Sequence, residues 1–150
     1  MTNLIGHKRA KFDYEILETF EAGIVLAGYE VKSVRKGHGK LEGAYVVVRG
    51  GEAFLVGASI SPYQTPNMPK DYEPERPRKL LLNKKQIQLL LQQSEKRGLT
   101  IVPISMYNKG RNVKVQVCVV RGKKEYDKRE KIKDREGDRA ILRTLKSQKI

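Results

Sequence analysis

The side chains best suited to acid–base chemistry are two histidines, His7 and His38. Such a pair can in principle supply the general acid and general base of a ribonuclease. His7 lies near the N-terminus beside Lys8, and His38 lies in the Gly37-His38-Gly39-Lys40 segment. That segment lacks the spacing and the Ser or Thr of a phosphate-binding P-loop. We interpret both histidines as surface residues and predict no catalytic residue.

The remaining reactive groups also favour structural roles. Cys118 is the single cysteine of the chain, which excludes a disulfide framework and every multi-cysteine metal site. It lies within an alternating apolar pattern, so we expect a buried and inert thiol. Glu73 and Glu75 lie on either side of Pro74 in a proline-rich segment that also contains Lys70 and Arg76, which is typical of a solvated loop. We therefore expect no metal and no cofactor.

Charge is the strongest positive signal in the sequence. The 150 residues contain 31 Lys+Arg and 17 Asp+Glu, which gives a net charge of +14. This excess favours a polyanionic partner, nucleic acid first and an acidic membrane surface second. No apolar run approaches the ~20 residues that span a bilayer. We expect a cytoplasmic protein with no membrane partner.

The basic residues are grouped, and several groups lie beside aromatic residues. Cations bind phosphates, and an aromatic ring can stack on an unpaired base. In a helix, Lys32, Arg35 and Lys36 share one face. The groups are Lys8, Arg9 and Lys11 with Phe12 and Tyr14; Lys32, Arg35 and Lys36; Arg78 and Lys79; Lys109, Arg111 and Lys114; and the C-terminal segment.

The C-terminal segment has a different composition from the rest of the chain. Residues 122–150 contain 11 Lys+Arg and 6 Asp+Glu and few apolar residues. Such a composition cannot bury enough apolar surface to fold alone. We divide the chain into a folded domain, 1–121, and a basic tail, 122–150, which we expect to be disordered when free and to order on an anionic partner.

Alternating apolar residues predict strands through most of the folded domain. A hairpin is predicted over 14–20 and 24–27 around Ala22-Gly23. A second, 45–49 and 53–57, surrounds Gly50-Gly51. The clearest strand, 112–121, places four valines on one face. Its expected partner is 99–107, with Val102, Ile104 and Met106 alternating.

Two helices interrupt the strands. Helix 84–97 is predicted from an Asn83/Gln86 capping box, an apolar stripe and the terminating Gly98. A shorter helix is predicted over about 30–36, and the proline-rich segment 61–77 is predicted to be a long exposed loop. The fold class is mainly β: an OB-like antiparallel β-barrel with two or three helices.

These segments together resemble the bacterial small protein B family, the partners of transfer-messenger RNA (tmRNA) in ribosome rescue. The resemblance covers nearly the whole chain. The matching segments are Lys8-Arg9-Ala10 with Tyr14 and Ile16; Phe20-Glu21-Ala22-Gly23; Gly28-x-Glu30-Val31-Lys32-Ser33-x-Arg35; Arg78-Lys79-Leu80-Leu81-Leu82; Gly98-x-Thr100 with Tyr107; and Gly122-Lys123-Lys124-x-x-Asp127-Lys128-Arg129.

The resemblance implies an RNA-binding adaptor and not an enzyme. Its OB-like barrel would bind the tRNA-like domain of tmRNA. The complex would then enter the A site of a stalled ribosome, at the decoding centre and the empty mRNA channel. Elongation factor Tu would be an indirect partner, through aminoacyl-tmRNA. Translation would resume on the tmRNA reading frame, which tags the incomplete peptide.

The resemblance also implies roles for individual residues. Glu21, Leu81 and Lys114 would belong to the RNA-binding surface, and Lys32, Arg35, Arg78 and Lys79 would contact phosphates. The residues that would begin the ribosome-binding tail are Lys123, Lys124, Asp127, Lys128 and Arg129. Two alternatives remain open at this point: a ribonuclease that uses His7 and His38, and a ribosomal protein or general RNA chaperone.

Overall fold

A computed structural model describes residues 3–62 and 68–122 of the chain. The strands are β1 (Asn3–Gly6), β2 (Tyr14–Ile24), β3 (Gly39–Lys40), β4 (Tyr45–Arg49), β5 (Glu52–Val56), β6 (Ser59–Ile60), β7 (Arg78–Leu81), β8 (Leu99–Lys109) and β9 (Asn112–Gly122). The helices are α1 (Ala10–Asp13), α2 (Gly28–Arg35) and α3 (Lys84–Ser94).

Seven of these strands form one antiparallel sheet. Its strand order is β1-β8-β9-β2-β7-β5-β4, and β3 and β6 form a separate pair. The sheet curls so that β4 packs against β8, although β1 and β4 remain its two edges. The prediction of a mainly β, OB-like antiparallel fold is confirmed, with a sheet that is strongly curved but open.

Strand β9 confirms the predicted alternation, whereas β8 departs from it. The valines on the core face of β9 are Val113, Val115, Val117 and Val119. In β8, the pairing register shifts between Pro103 and Ser105. A bulge adds one residue, so the side chains beyond it change faces. Met106 therefore lies in the main core, while Val102 packs with Cys118 on the opposite face. The prediction that Val102 and Met106 share a face is wrong.

The two predicted hairpins have opposite outcomes. Gly50 and Gly51 have φ values of 60° and 76°, as both central residues of a primed turn require, and that hairpin is confirmed. The hairpin at Ala22-Gly23 is wrong, because β2 continues straight through it. Gly23 pairs with Leu81 on one side and Lys114 on the other, which holds the backbone extended.

The predicted helices are confirmed, with changed boundaries: α2 runs over Gly28–Arg35 instead of about 30–36. The Asn83 side chain accepts from the Gln86 amide at 2.8 Å, and the Gln86 side chain accepts from the Asn83 amide at 3.1 Å. Helix α3 ends at Ser94 instead of residue 97. The chain leaves it through a tighter turn, in which the Lys96 amide donates to the Gln93 carbonyl at 3.1 Å.

The described part of the proline-rich segment, 61–62 and 68–77, is exposed at many positions but firmly attached to the domain. The Ile60 amide donates to the Pro74 carbonyl at 2.9 Å, and the Tyr72 hydroxyl donates to the Ile60 carbonyl at 2.9 Å. The prediction of a simple exposed loop was therefore incomplete. Within residues 3–62 and 68–122, no helix is long and apolar enough to cross a membrane.

Candidate nucleic-acid interface

A row of four residues crosses the outer face of the sheet. Leu81 of β7 pairs with Gly23 of β2, Gly23 pairs with Lys114 of β9, and Lys114 pairs with Tyr107 of β8. Leu81 is 54% exposed, an unusual environment for a strand leucine. A Cβ atom on Gly23 would lie 3.1 Å from the Leu81 Cβ. Gly23 therefore leaves open a space that any larger residue would narrow.

Three residues of this row, all but Tyr107, line a groove of about 330 Å³. One wall is apolar and comes from Leu81 and Val31, whereas Arg111 and Lys114 provide cations on the other side. The remaining lining residues are Gly23, Ile24, Leu26, Asn112 and Val113. A surface that combines an apolar wall with cations suits the two halves of a nucleotide, the flat base or ribose and the phosphate.

A fixed carboxylate lies next to this row. Glu21 is two residues before Gly23 on β2. Its Oε1 accepts from Lys109 Nζ at 2.8 Å, and its Oε2 accepts from the Tyr107 hydroxyl at 2.6 Å. The hydrogen bonds from Lys109 and Tyr107 lower the pKa of Glu21. Burial and the Glu21 carboxylate raise the pKa of Tyr107, so its hydroxyl keeps its proton.

The structure thus brings Glu21, Leu81 and Lys114 together on one face. Lys109 and Arg111, which the sequence placed in the same basic group as Lys114, join them. Sequence reasoning assigned no role to Tyr107, which orients Glu21. The sequence could have indicated this role, because 99–107 was the expected partner of 112–121, and their pairing places Tyr107 opposite Lys114.

Arg78 does not belong to this surface. It is 1% exposed. Its Nε and Nη2 donate to Glu30 Oε2 at 2.9 and 2.6 Å, and its guanidinium also donates to the carbonyls of Ala58 and Pro74, each at 2.9 Å. The prediction of a phosphate contact for Arg78 is wrong, because the guanidinium is buried and its donors are used internally. The alternation of β7 explains this: Lys79 and Leu81 point outward, and Arg78 and Leu80 point inward.

Glu30, the partner of Arg78, is buried at the N-terminal end of α2. It also accepts from the Arg76 guanidinium and from the Ala27 amide at 2.9 Å, and the Tyr72 hydroxyl lies 3.2 Å from its Oε2. Burial acts to raise the pKa of Glu30, but the hydrogen bonds from Arg76, Ala27 and Arg78 outweigh it and lower the pKa. The carboxylate is therefore ionised inside the protein, where paired cations make its burial tolerable.

Helix α2 carries the second predicted basic group, and its cations differ in their surroundings. Lys32 is exposed. Arg35 donates from Nη2 to the Arg111 carbonyl at 2.8 Å and from Nε to Asn108 Oδ1 at 3.4 Å. The guanidinium of Arg35 therefore holds the turn between β8 and β9. Lys79 is also exposed, with its Nζ 3.3 Å from Glu52 Oε1.

The N-terminal basic group lies at the other end of β2 from the groove. Lys8 and Arg9 are exposed, and Lys11 lies in α1. The Arg9 guanidinium lies 5.0 Å from the centre of the Phe12 ring, which is 64% exposed. Between Tyr14 and Gly23, the strand spans about 30 Å. The predicted RNA-binding residues are therefore divided between two separate surfaces.

The reactive side chains have unremarkable surroundings. Burial raises the pKa of the Cys118 thiol, as expected for an inert cysteine. His38 is exposed, as predicted, but His7 is only partly so, with the centre of its ring 6.1 Å from the centre of the Tyr14 ring in an edge-to-face arrangement. Among the residues that the structure describes, no three His, Cys, Asp or Glu side chains could hold a metal ion together.

The predicted ribosome contacts of the tail lie outside the described residues. They are Lys123, Lys124, Asp127, Lys128 and Arg129.

An OB-like antiparallel sheet with a cluster of cations on one face is typical of small nucleic-acid-binding proteins. The chain belongs to the SmpB family: the family model described as "SmpB protein" matches residues 4–147. It is 49% identical over 143 residues to the SsrA-binding protein of Microcystis aeruginosa, which covers 95% of this chain and 93% of that protein. It is 46% identical to the SsrA-binding protein of Enterococcus faecalis, over 94% of this chain and 91% of that protein.

A solved structure agrees with these relatives. One chain of the structure named "tmRNA-SmpB: a journey to the center of the bacterial ribosome" is 40% identical to this chain. The two superpose with a TM-score of 0.70, and the match covers 96% of this chain and 97% of the other. The fold and the sequence therefore give the same family.

Proposed function

We propose that this protein is an RNA-binding adaptor that binds the tRNA-like domain of tmRNA and delivers it to stalled ribosomes for trans-translation. Membership of the SmpB family supports this function, as do relatives named SsrA-binding proteins and a structural neighbour named for tmRNA, SmpB and the ribosome. Its reaction is binding and not catalysis.

The observation that carries the proposal is the shared face of Glu21, Leu81 and Lys114. Leu81 and Gly23 offer an apolar contact for a ribose or an unstacked base. Lys114 and Arg111 pair with phosphates. Glu21, held ionised by Lys109 and Tyr107, accepts a hydrogen bond from a base amine or a 2′-hydroxyl. Such a surface recognises the shape of a folded RNA more than the sequence of paired bases.

The rest of the proposed mechanism divides the chain into two parts. The barrel, 1–121, binds tmRNA, with Lys32, Lys79 and the N-terminal group of Lys8, Arg9 and Lys11 as further RNA contacts. The tail, 122–150, engages the ribosomal A site, decoding centre and mRNA channel through its first residues, Lys123, Lys124, Asp127, Lys128 and Arg129. Elongation factor Tu joins only through aminoacyl-tmRNA, and the complex works in the cytoplasm.

The test is direct binding of the full chain to the tRNA-like domain of tmRNA, with bulk tRNA as competitor. We expect binding to survive an equal excess of tRNA. With roughly six to ten phosphate contacts, the affinity should fall by ~10³–10⁵ between 50 and 200 mM salt. Binding that tRNA abolishes would contradict the adaptor function and would leave a general RNA chaperone.

Two leucines give a matched pair of variants for the site. Leu81 and Leu91 are both exposed, at 54% and 41%, but Leu91 lies on α3 outside the groove. Covering the exposed half of a leucine stabilises a complex by about 1 kcal/mol, or about fivefold in affinity. Leu81→Ala should show that loss and Leu91→Ala should not. Equal effects of the two variants would exclude the groove as the contact surface.

The absence of catalysis has its own measurement. The purified protein should leave tmRNA and tRNA intact during long incubation. Cleavage that disappears in a His7→Ala, His38→Ala double variant would instead support the ribonuclease hypothesis.

A further inference from the structure

The groove is assembled from two parts of the sheet that meet at the end of β2. Strand β7, which supplies Leu81, pairs with β2 at Gly23–Leu81 and Ile24–Leu80 and with β5 on its other side. The β8–β9 turn, which supplies Arg111, extends past the end of β2, whose last register pair with β9 joins Gly23 to Lys114. Among the described strands, no register pair joins this turn to β7, so a direct connection between the two sides of the groove has to come from outside the sheet.

Helix α2 makes that connection at both of its ends. At its N-terminal end, Glu30 is bound to Arg78, the first residue of β7, by two hydrogen bonds of 2.9 and 2.6 Å. At its C-terminal end, Arg35 donates to the Arg111 carbonyl at 2.8 Å and to Asn108 Oδ1 at 3.4 Å. Between these two contacts, Val31 contributes to the apolar wall.

We infer that α2 is a brace for the groove and that Arg35 is a positioning residue, not a phosphate contact. Glu30 anchors the brace to β7, and Arg35 fixes the β8–β9 turn so that Arg111 faces the bound RNA. This inference rests on the proposed function, because it concerns tmRNA binding at this groove. It reassigns a cation that the sequence alone placed among the phosphate contacts.

The chemistry of the guanidinium separates the two roles. A phosphate contact needs mainly positive charge, which lysine also supplies. Holding an amide oxygen and a backbone carbonyl at once needs the planar, forked donors of arginine, which lysine lacks. Arg35→Lys should therefore bind the tRNA-like domain about as weakly as Arg35→Gln. Losing these hydrogen bonds should cost each variant about three- to tenfold in affinity.

Salt dependence gives an independent readout. Each phosphate contact contributes about 0.7–0.9 to the slope of log affinity against log salt. With Arg35 as a positioning residue for Arg111, Arg35→Gln leaves the slope of an Arg111→Ala variant unchanged, whereas a phosphate contact from Arg35 itself would lower that slope by about 0.7–0.9 more. Lys32→Gln, an exposed neighbour on the same helix, is the matched control for simple loss of a charge.

The experiment titrates labelled tRNA-like domain RNA with full-length wild type, Arg35→Lys, Arg35→Gln and Lys32→Gln, and records each protein's thermal unfolding. In an Arg111→Ala background, the effect of Arg35→Gln should shrink at least threefold, because the Arg111 side chain that Arg35 positions has been removed. Three results would overturn the inference: wild-type affinity in Arg35→Lys, a slope that Arg35→Gln lowers by about one more in the Arg111→Ala background, or lower thermal stability with unchanged affinity. If wild type itself fails to prefer tmRNA over tRNA, the proposed function fails instead.

Discussion

Removal of the Arg78 side chain should destabilise the domain severely, although the residue looks like an ordinary surface cation in the sequence. Arg78→Ala removes the two hydrogen bonds of 2.9 and 2.6 Å that Arg78 donates to Glu30 Oε2. It also removes the donors to the Ala58 and Pro74 carbonyls. Breaking a buried ion pair by removing one partner costs about 3–5 kcal/mol. Because Arg76 still binds Glu30, we expect a loss of about 3–4 kcal/mol in the free energy of unfolding.

The measurement is urea unfolding followed by circular dichroism, with Lys79→Ala as the control. Lys79 is the next residue, and its ion pair with Glu52 is exposed, so its removal should cost about 0–1 kcal/mol. A stability within about 1 kcal/mol of wild type for Arg78→Ala would refute the reasoning. A normal stability together with a reduced salt slope of RNA binding would restore Arg78 as a phosphate contact.

The same pair predicts a dependence of stability on pH. The pKa of Glu30 is lower in the folded protein than its ordinary value of 4.5. The stabilisation from this carboxylate is therefore fully present above pH 4.5 and is lost as the pH falls through the folded pKa. Arg78→Ala removes one of the two cations that lower this pKa, so its acid unfolding should begin at a higher pH than in wild type.

Three further predictions concern binding. Gly23→Ala should lower the unfolding temperature only slightly, because relieving the 3.1 Å approach of its Cβ to the Leu81 Cβ needs a shift of a few tenths of an ångström in the β7 backbone, but should weaken tmRNA binding several-fold in a titration; unchanged binding would argue against the groove. Glu21→Gln should weaken binding about tenfold, the equivalent of about one charged hydrogen bond; an unchanged affinity would exclude the carboxylate from recognition. Because the pKa of Glu21 is lowered, this carboxylate stays ionised from pH 8 to 5.5 and should contribute no change in wild-type affinity over that range. Truncation after Gly122 should retain tmRNA affinity and abolish peptide tagging in a translation assay, whereas equal loss of both would contradict the division between barrel and tail.

Features decided by nearby residues could be predicted from the sequence. The Gly50-Gly51 turn needs two residues that accept positive φ, and the α3 cap needs Asn83 and Gln86 at the right spacing. The β9 valines follow from a period of two. Each of these depends on a few consecutive residues, so no knowledge of the tertiary fold was required.

Features decided by distant partners could not be predicted in this way. The turn-like Ala22-Gly23 remains extended because two separate strands pair with it. Arg78 and Lys79 are adjacent and equally basic, and only the position of Glu30, 48 residues before Arg78, separates a buried ion pair from an exposed lysine. For the groove, Leu81 and Glu21 were expected from the family resemblance, whereas the hydrogen bond from Tyr107 to Glu21 was not predicted, because it depends on the register of β2 and β8 on either side of β9.

The long pairing of β2 with β9 has a consequence for distances across the molecule. Lys114 pairs with Gly23 at one end of the two strands, and Gly122 pairs with Tyr14 at the other. At about 3.4 Å per residue, these ends lie about 27 Å apart. The pairing of β2 with β9 therefore sets the distance between a molecule bound in the groove and Gly122, the end of β9 beside α1. Two residues added to both strands would lengthen this distance by about 7 Å and keep every side chain on its face, whereas one added residue would move the following side chains to the opposite face.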